Sequence, residues 1–171
     1  MPEYQFLGET NAVPYDAFGY VVMKKFVDVA ELILHPEKLA LAASPNTPLS
    51  SFTGFAGASG AILNVFHLPA GFVLKFCGMY VESADTAPTT TVSLGIASYA
   101  AYGMLATVLT PAGLLAHTIV SDGWGCNSVN AKGFTAADTL DATFAVATSI
   151  DAKLHFFCEG YKAFDLLGAD V

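Results

Sequence analysis

The chain has 171 residues, 54% hydrophobic and only 13% charged, a charge content about half that of an ordinary soluble protein, at a length that suits one domain with a core of its own. The net charge is −8 and all seven basic residues are lysine, which excludes direct recognition of nucleic-acid phosphates, a task for arginine forks or dense lysine patches. Leu39–Leu74 and Thr86–Ser121 carry no charged residue, yet Pro, Gly and polar residues interrupt both and no basic cluster flanks either, so neither is read as a membrane-spanning helix.

Burial against other chains is then the better account of so little charge. The opening MPEYQFLGET has neither a basic start nor an apolar run and is not read as a secretory signal. Cys77, Cys126 and Cys158 form no CxxC pair and are read as reduced, mostly buried thiols.

Residues 1–19 are mixed, rich in aromatics and turn formers. In YVVMKKFVDVAELILHPEKLAL (20–41), Val22, Phe26, Val29 and Ile33 have helical spacing, while Val27, Val29 and ELILHP also suit extended chain. Pro36 should end either element. Ala43–Gly60, rich in Pro, Ser, Thr and Gly, reads as a linker or long loop. Residues 1–55 are therefore expected to form an N-terminal arm and linker that admits one short helix, and 56–171 a β-sandwich domain.

From Gly60 onward the period becomes two. Ile62, Asn64 and Phe66 alternate with Leu63, Val65 and His67; after Pro69–Ala70–Gly71, Val73, Lys75, Cys77, Met79 and Val81 alternate with Phe72, Leu74, Phe76, Gly78 and Tyr80. The break has turn chemistry, since Pro cannot donate to a ladder and Gly71 tolerates positive φ. Thr89–Ser98 is a further strand, with Thr90, Val92, Leu94 and Ile96 on one face. Ala100–Leu109 admits a short helix, against which Gly103 and the β-branched residues weigh. Ser121–Gly123 and Asn130–Gly133 read as turns.

In GFTAADTLDATFAVATSIDAKLHFF, Leu140, Ala142, Phe144 and Val146 share one face and Thr139, Asp141, Thr143 and Ala145 the other. A turn at TSID leads to a strand with bulky residues on both sides, Leu154, Phe156 and Cys158 opposite His155, Phe157 and Glu159. The stretch reads as a β-hairpin whose second strand is covered on both faces. At least seven short strands separated by Gly, Pro and Asp turns make the chain all-β, an antiparallel β-sandwich of jelly-roll type.

No catalytic, cofactor-binding or metal constellation stands out. Asp138 and Asp141 fall on opposite faces of a strand, roughly 10 Å apart, so turn capping explains Asp138 and Asp151 better than paired-acid hydrolysis. His35, His67, His117 and His155 have no ligand spacing. GFAGASG lacks the Lys-Ser/Thr ending of a phosphate loop. Cys126, in DGWGCNS, is the one thiol placed for reactivity, and Trp124 beside it is the one candidate for stacking a sugar. The chain is read as no enzyme and as needing no cofactor.

LPAG at Leu68–Gly71, TTVSLG at Thr90–Gly95, FTAADTLDAT at Phe134–Thr143 and AKLHFF at Ala152–Phe157 together resemble the small β-sandwich structural proteins of tailed bacteriophages, the capsid decoration or cement proteins. The resemblance covers roughly residues 60–165; IASYAAYG stands where that family often has a G-D-G-x-D loop. It implies a virion structural protein on the capsid surface, made in the host cytoplasm, a homotrimeric jelly roll that stabilises the head by binding the major capsid protein across subunits. The arm's apolar residues Phe18, Tyr20, Val22, Phe26, Leu32 and Leu34 are then the candidate capsid or subunit contacts, with neither nucleic acid nor membrane as a partner. A tail or fibre component that binds a host surface or sugar is the alternative.

Overall fold

The computed structural model describes residues 1–7, 19–55, 60–86, 90–96, 105–109, 118–122, 136–145 and 147–162. In chain order the strands are β1 (Glu3–Phe6), β2 (Tyr20–Asp28), β3 (Leu39–Leu41), β4 (Ala61–Leu68), β5 (Phe72–Ser83), β6 (Thr90–Gly95), β7 (Leu105–Leu109), β8 (Thr118–Asp122), β9 (Asp138–Ala145) and β10 (Lys153–Lys162), with one helix, α1 (Val29–Leu34), after β2. They form a six-stranded sheet in the order β3-β1-β4-β9-β6-β7 and a four-stranded sheet in the order β2-β10-β5-β8. All pairings are antiparallel except that of β1 with β4. Leu63, Leu140 and Phe144 from the larger sheet and Met79, Leu154 and Phe156 from the smaller share one buried core. The protein is an all-β sandwich. Among the described residues no helix is long and apolar enough to cross a membrane.

The segment read as an arm is built into both sheets. β1 and β3 extend the larger sheet beyond β4, and β2 pairs with β10 over nine residues, from Asp28↔Lys153 to Tyr20↔Tyr161. Val22 and Phe26 therefore lie on a strand rather than on a helix. Helix begins only at Val29, where the Asp28 carboxylate caps the Glu31 N–H at 3.2 Å. It stops before Pro36, which opens a single 3-10 turn, Pro36–Lys38. Among its described residues the stretch read as a linker has no strand of its own, yet Phe52 and Phe55 are core residues. Phe55 stacks on Phe144 at 4.1 Å between centroids and meets Phe52 and Tyr4 edge-on. Its backbone exchanges hydrogen bonds with Ser149, at 3.2 and 3.0 Å. Gly54 sits at φ +103°, and a Cβ there would lie 2.1 Å from the Ser149 carbonyl oxygen, so only glycine fits.

Two bulges break the strict alternation read from the sequence. Asn64 pairs with Asp141 and Phe66 with Leu140, which leaves Val65 as an extra residue in β4. Phe66 thereby joins Ala61 and Leu63 on the core side instead of following Asn64. In β5, Phe76 pairs with Glu159 and Leu74 with Gly160, so Lys75 is extra. Phe72 and Leu74 are then buried before the bulge, and Cys77, Met79 and Val81 after it.

The expected β9–β10 hairpin is a crossing between sheets. β9 is held by β4 and β6, and β10 by β2 and β5. Leu140 and Phe144 face Leu154 and Phe156 across the core, whereas a hairpin would set them side by side. β4 and β5 also lie in different sheets, with Gly71 in the connecting turn at φ +81° as its turn chemistry requires. Where Ala100–Leu109 admitted a helix, residues 105–109 form β7, hydrogen-bonded along β6.

Buried Asp85 fastens the β9–β10 crossing. Its carboxylate accepts from the Ile150 and Asp151 N–H groups, each at 3.0 Å, and from the Thr90 hydroxyl at 3.2 Å. Asp151 answers by accepting from the Thr86 N–H at 2.8 Å and hydroxyl at 2.5 Å. Burial would raise the Asp151 carboxyl, but the Asp85 side chain and Thr86 outweigh it and hold the group below its ordinary value. We expect Phe55→Ala to cost about 3–5 kcal/mol in urea unfolding. Gly54→Ala should cost about 1–3 kcal/mol from backbone strain before any clash is counted. Asp85→Ala, which strips the acceptor from two turn N–H groups, should cost about 2–5 kcal/mol.

Candidate interaction surface

The two outer faces of the sandwich differ in chemistry. On the larger sheet, Glu3, Gln5, Ile62, Asn64, Asp141, Thr143, Thr91 and Ser93 share the face turned away from the core. Asp141 does point to this polar face, as its alternation requires, but it is buried there together with Asn64. Asp138 enters β9 with its carboxylate accepting from the Thr139 N–H at 2.8 Å.

The outer face of the four-stranded sheet is aromatic. Register sets Tyr20, Tyr161 and Val73 in one row, Val22, Glu159 and Phe76 in the next, then Lys24, Phe157 and Gly78, then Phe26, His155 and Tyr80. The rings touch along the sheet: Tyr20 with Tyr161 at 5.0 Å, Phe76 with Phe157 at 5.6 Å, and His155 with Phe26 at 4.6 Å and with Tyr80 at 5.5 Å. Val22 is 49% and Phe26 46% exposed, and the other rings are half-buried. Polar groups on this face bind one another. The Tyr20 hydroxyl donates to Glu159, His155 Nε2 lies 2.7 Å from Glu82, Lys75 donates to the Tyr161 hydroxyl at 3.2 Å, and Lys153 lies 3.2 Å from Asp28.

Of the candidate contacts read from the sequence, Tyr20, Val22 and Phe26 come together here on β2. Leu32 is 4% exposed in the core, as its place in the short helix demands, and Leu34 is 75% exposed at that helix's end. Phe18 lies outside the described residues, as do Trp124, Cys126, His117, Val146 and the turn expected at 130–133; of the turn expected at Ser121–Gly123, Ser121 and Asp122 end β8 and Gly123 lies outside the described residues. The aromatic partners from β5 and β10 were not among the candidates. Their signal was present in the bulky residues on both sides of β10, read as a strand covered on both faces; the core covers one face and the other is half-exposed.

Lys25 lies on the opposite side of β2, directed between the sheets, with Nζ 4.0 Å from the centre of the Phe6 ring on β1. Burial pushes its ammonium down from 10.5 to about 8. His67 on β4 is lowered as well, first by burial and then by the charge of Lys25. His35 is exposed beside Glu37 at 3.0 Å. Among the described residues no three His, Cys, Asp or Glu side chains converge as a metal site. Cys77 and Cys158 are buried thiols set opposite each other across β5 and β10, and burial raises Cys158 well above the ordinary thiol range.

No known protein family matches the chain, and no curated protein does. Among solved structures it is similar in fold to a chain of the cyanophage Pam1 capsid asymmetric unit, with a TM-score of 0.51 and 20% identity over 90% of this chain and 94% of that one.

The lowered Lys25 sets a pH dependence. Between about pH 8 and 10.5 the unfolded chain holds a proton on this amine that the folded chain has released, so stability gained through this group rises with pH across that window and is lost as pH falls through 8. Urea midpoints of wild type relative to Lys25→Met should therefore increase from pH 7 to pH 10.5. A difference that stays constant would mean that the amine is solvated in the fold.

Proposed function

We propose that this chain is a structural protein of a bacteriophage virion: a capsid decoration or cement protein, homotrimeric, that stabilises the head by binding the major capsid protein across neighbouring subunits. The observation that carries the reading is the aromatic outer face of the four-stranded sheet, a broad apolar surface on a chain with half the usual charge. The fold shared with a chain of a cyanophage capsid supports it, as does the resemblance of the LPAG, TTVSLG, FTAADTLDAT and AKLHFF segments to phage decoration proteins.

Cementing is mass action. A protein that binds the assembled shell and not its dissociated subunits shifts the equilibrium toward the shell. Such a protein needs a rigid body, a large contact surface and no moving site, which fits a sandwich whose connections are fastened by Phe55 and Asp85. The polar groups on the aromatic face, Lys24 apart, bond to one another within the sheet.

A tail or fibre component that binds a host sugar is the second reading, favoured by the half-buried Tyr20–Tyr161 ring pair on the outer face. Microscopy of labelled particles separates head from tail. The purified chain should run as a trimer in light scattering, co-sediment with empty shells and raise their disassembly temperature. A chain that stays monomeric and never co-sediments would sink the cement reading.

A further inference from the structure

We propose that the aromatic face of the four-stranded sheet docks flat onto an apolar protein surface that carries one carboxylate set against Lys24. The identity of that partner as a capsid shell rests on the function proposed above; the chemistry of the contact rests on this face alone.

The argument starts from which charges are already satisfied. Glu159 holds the Tyr20 hydroxyl, Glu82 holds His155, Lys75 holds Tyr161, and Asp28 holds Lys153. These pairs lie within one sheet and travel with it, so covering the face breaks none of them. Desolvating polar groups that keep their partners costs far less than desolvating orphans. Lys24 is the exception: it is exposed, and among the described residues nothing pairs with it. It borders a groove of about 250 Å³ that Phe26, His155 and Phe157 also line. A lone ammonium in an aromatic setting is costly to cover unless a counter-charge arrives with the cover, and is then a strong determinant of which cover fits.

The face is about half of one side of a standard interface. β2, β10 and β5, each of nine residues or more, lie about 4.8 Å apart at about 3.3 Å per residue and span roughly 14 by 30 Å, or about 430 Å² in projection, against about 800 Å² per partner in a standard interface. The exposed Val22 and Phe26 are the natural anchors, with half-buried rings around them. A second copy of the chain is a poor occupant. It would bring another Lys24 into the contact, and the described carboxylates of this face are already engaged.

Two assays test this. In the first, empty shells of the capsid protein are titrated with wild type and with variants whose unfolding midpoints confirm that they fold. Val22→Ser/Phe26→Ser should weaken binding at least tenfold, Lys24→Glu at least a hundredfold and Lys24→Met a few-fold, while Thr143→Glu on the polar outer face should bind as wild type. If wild type binds and the face variants bind equally well, the docking proposal is overturned and the cement reading stands. If instead the face variants dissociate the free trimer, the face belongs to a second copy and the proposal is also overturned.

The second assay needs no shell. Anilinonaphthalene sulfonate, an aromatic with one anionic group, should bind the native protein with resonance shifts at Phe26, His155 and Phe157, and Lys24→Glu should weaken it at least tenfold. Binding of this probe by a wild type that ignores shells would overturn the cement reading and keep the docking chemistry. Absence of probe binding at these residues would overturn the docking chemistry.

Discussion

Everything in this sandwich depends on a strand that is apolar on both sides. β10 runs between β2 and β5, with Leu154, Phe156 and Cys158 on one face and His155, Phe157 and Tyr161 on the other. The first set is fully buried in the core. Among the described residues no layer lies above the second set, whose rings cover one another and their neighbours' rings and remain half-exposed. A strand in a two-layer protein has one inner face to bury. A sequence that fills both faces with bulky side chains leaves an apolar surface for something else to cover.

The rest of the architecture keeps that strand in place. β2 comes from the start of the chain and β5 from its middle, so β10 closes the smaller sheet through pairings far apart in sequence. The crossings β4–β5 and β9–β10 carry the chain from one sheet to the other, which lets Phe144 and Phe156 contribute to one core from opposite sides. Such crossings leave turn N–H groups near the interior, and Asp85 answers this with a buried carboxylate that collects two of them. The Phe55–Ser149 bridge does similar work on the same connection, with Gly54 allowing the close approach. Asp85, Asp138 and Asp151 each accept from backbone N–H groups at turns or strand ends, whereas Asp141 lies buried within β9.

Much of this was legible in the chain alone. The period-two pattern from residue 60, the turn at Pro69–Gly71 and the alternation of β9 were readable because a half-buried strand imposes its period directly on residue types. The low charge and the two-faced β10 pointed to a covered surface. Less legible were the first 41 residues: β1 and β3 are four and three residues long, too short to impose a period, and β2 carries Lys24 and Lys25 in its middle. The bulges at Val65 and Lys75 were invisible because a bulge is a mismatch between two strands, and neither strand encodes it by itself.

The division between the two sources of information follows from this. Sequence by itself determined the all-β class, the turn chemistry, the thiols inside strands and the excess of apolar surface, since each depends on residue type and near-neighbour spacing. Only tertiary structure decided that β9 and β10 belong to different sheets, that Phe52 and Phe55 fill the core, and that Tyr20, Val22 and Phe26 share a face with Phe76, Tyr80, Phe157 and Tyr161. Those facts depend on which strands pair, and pairing is settled by the burial of the whole core at once, a sum over residues far apart in the chain.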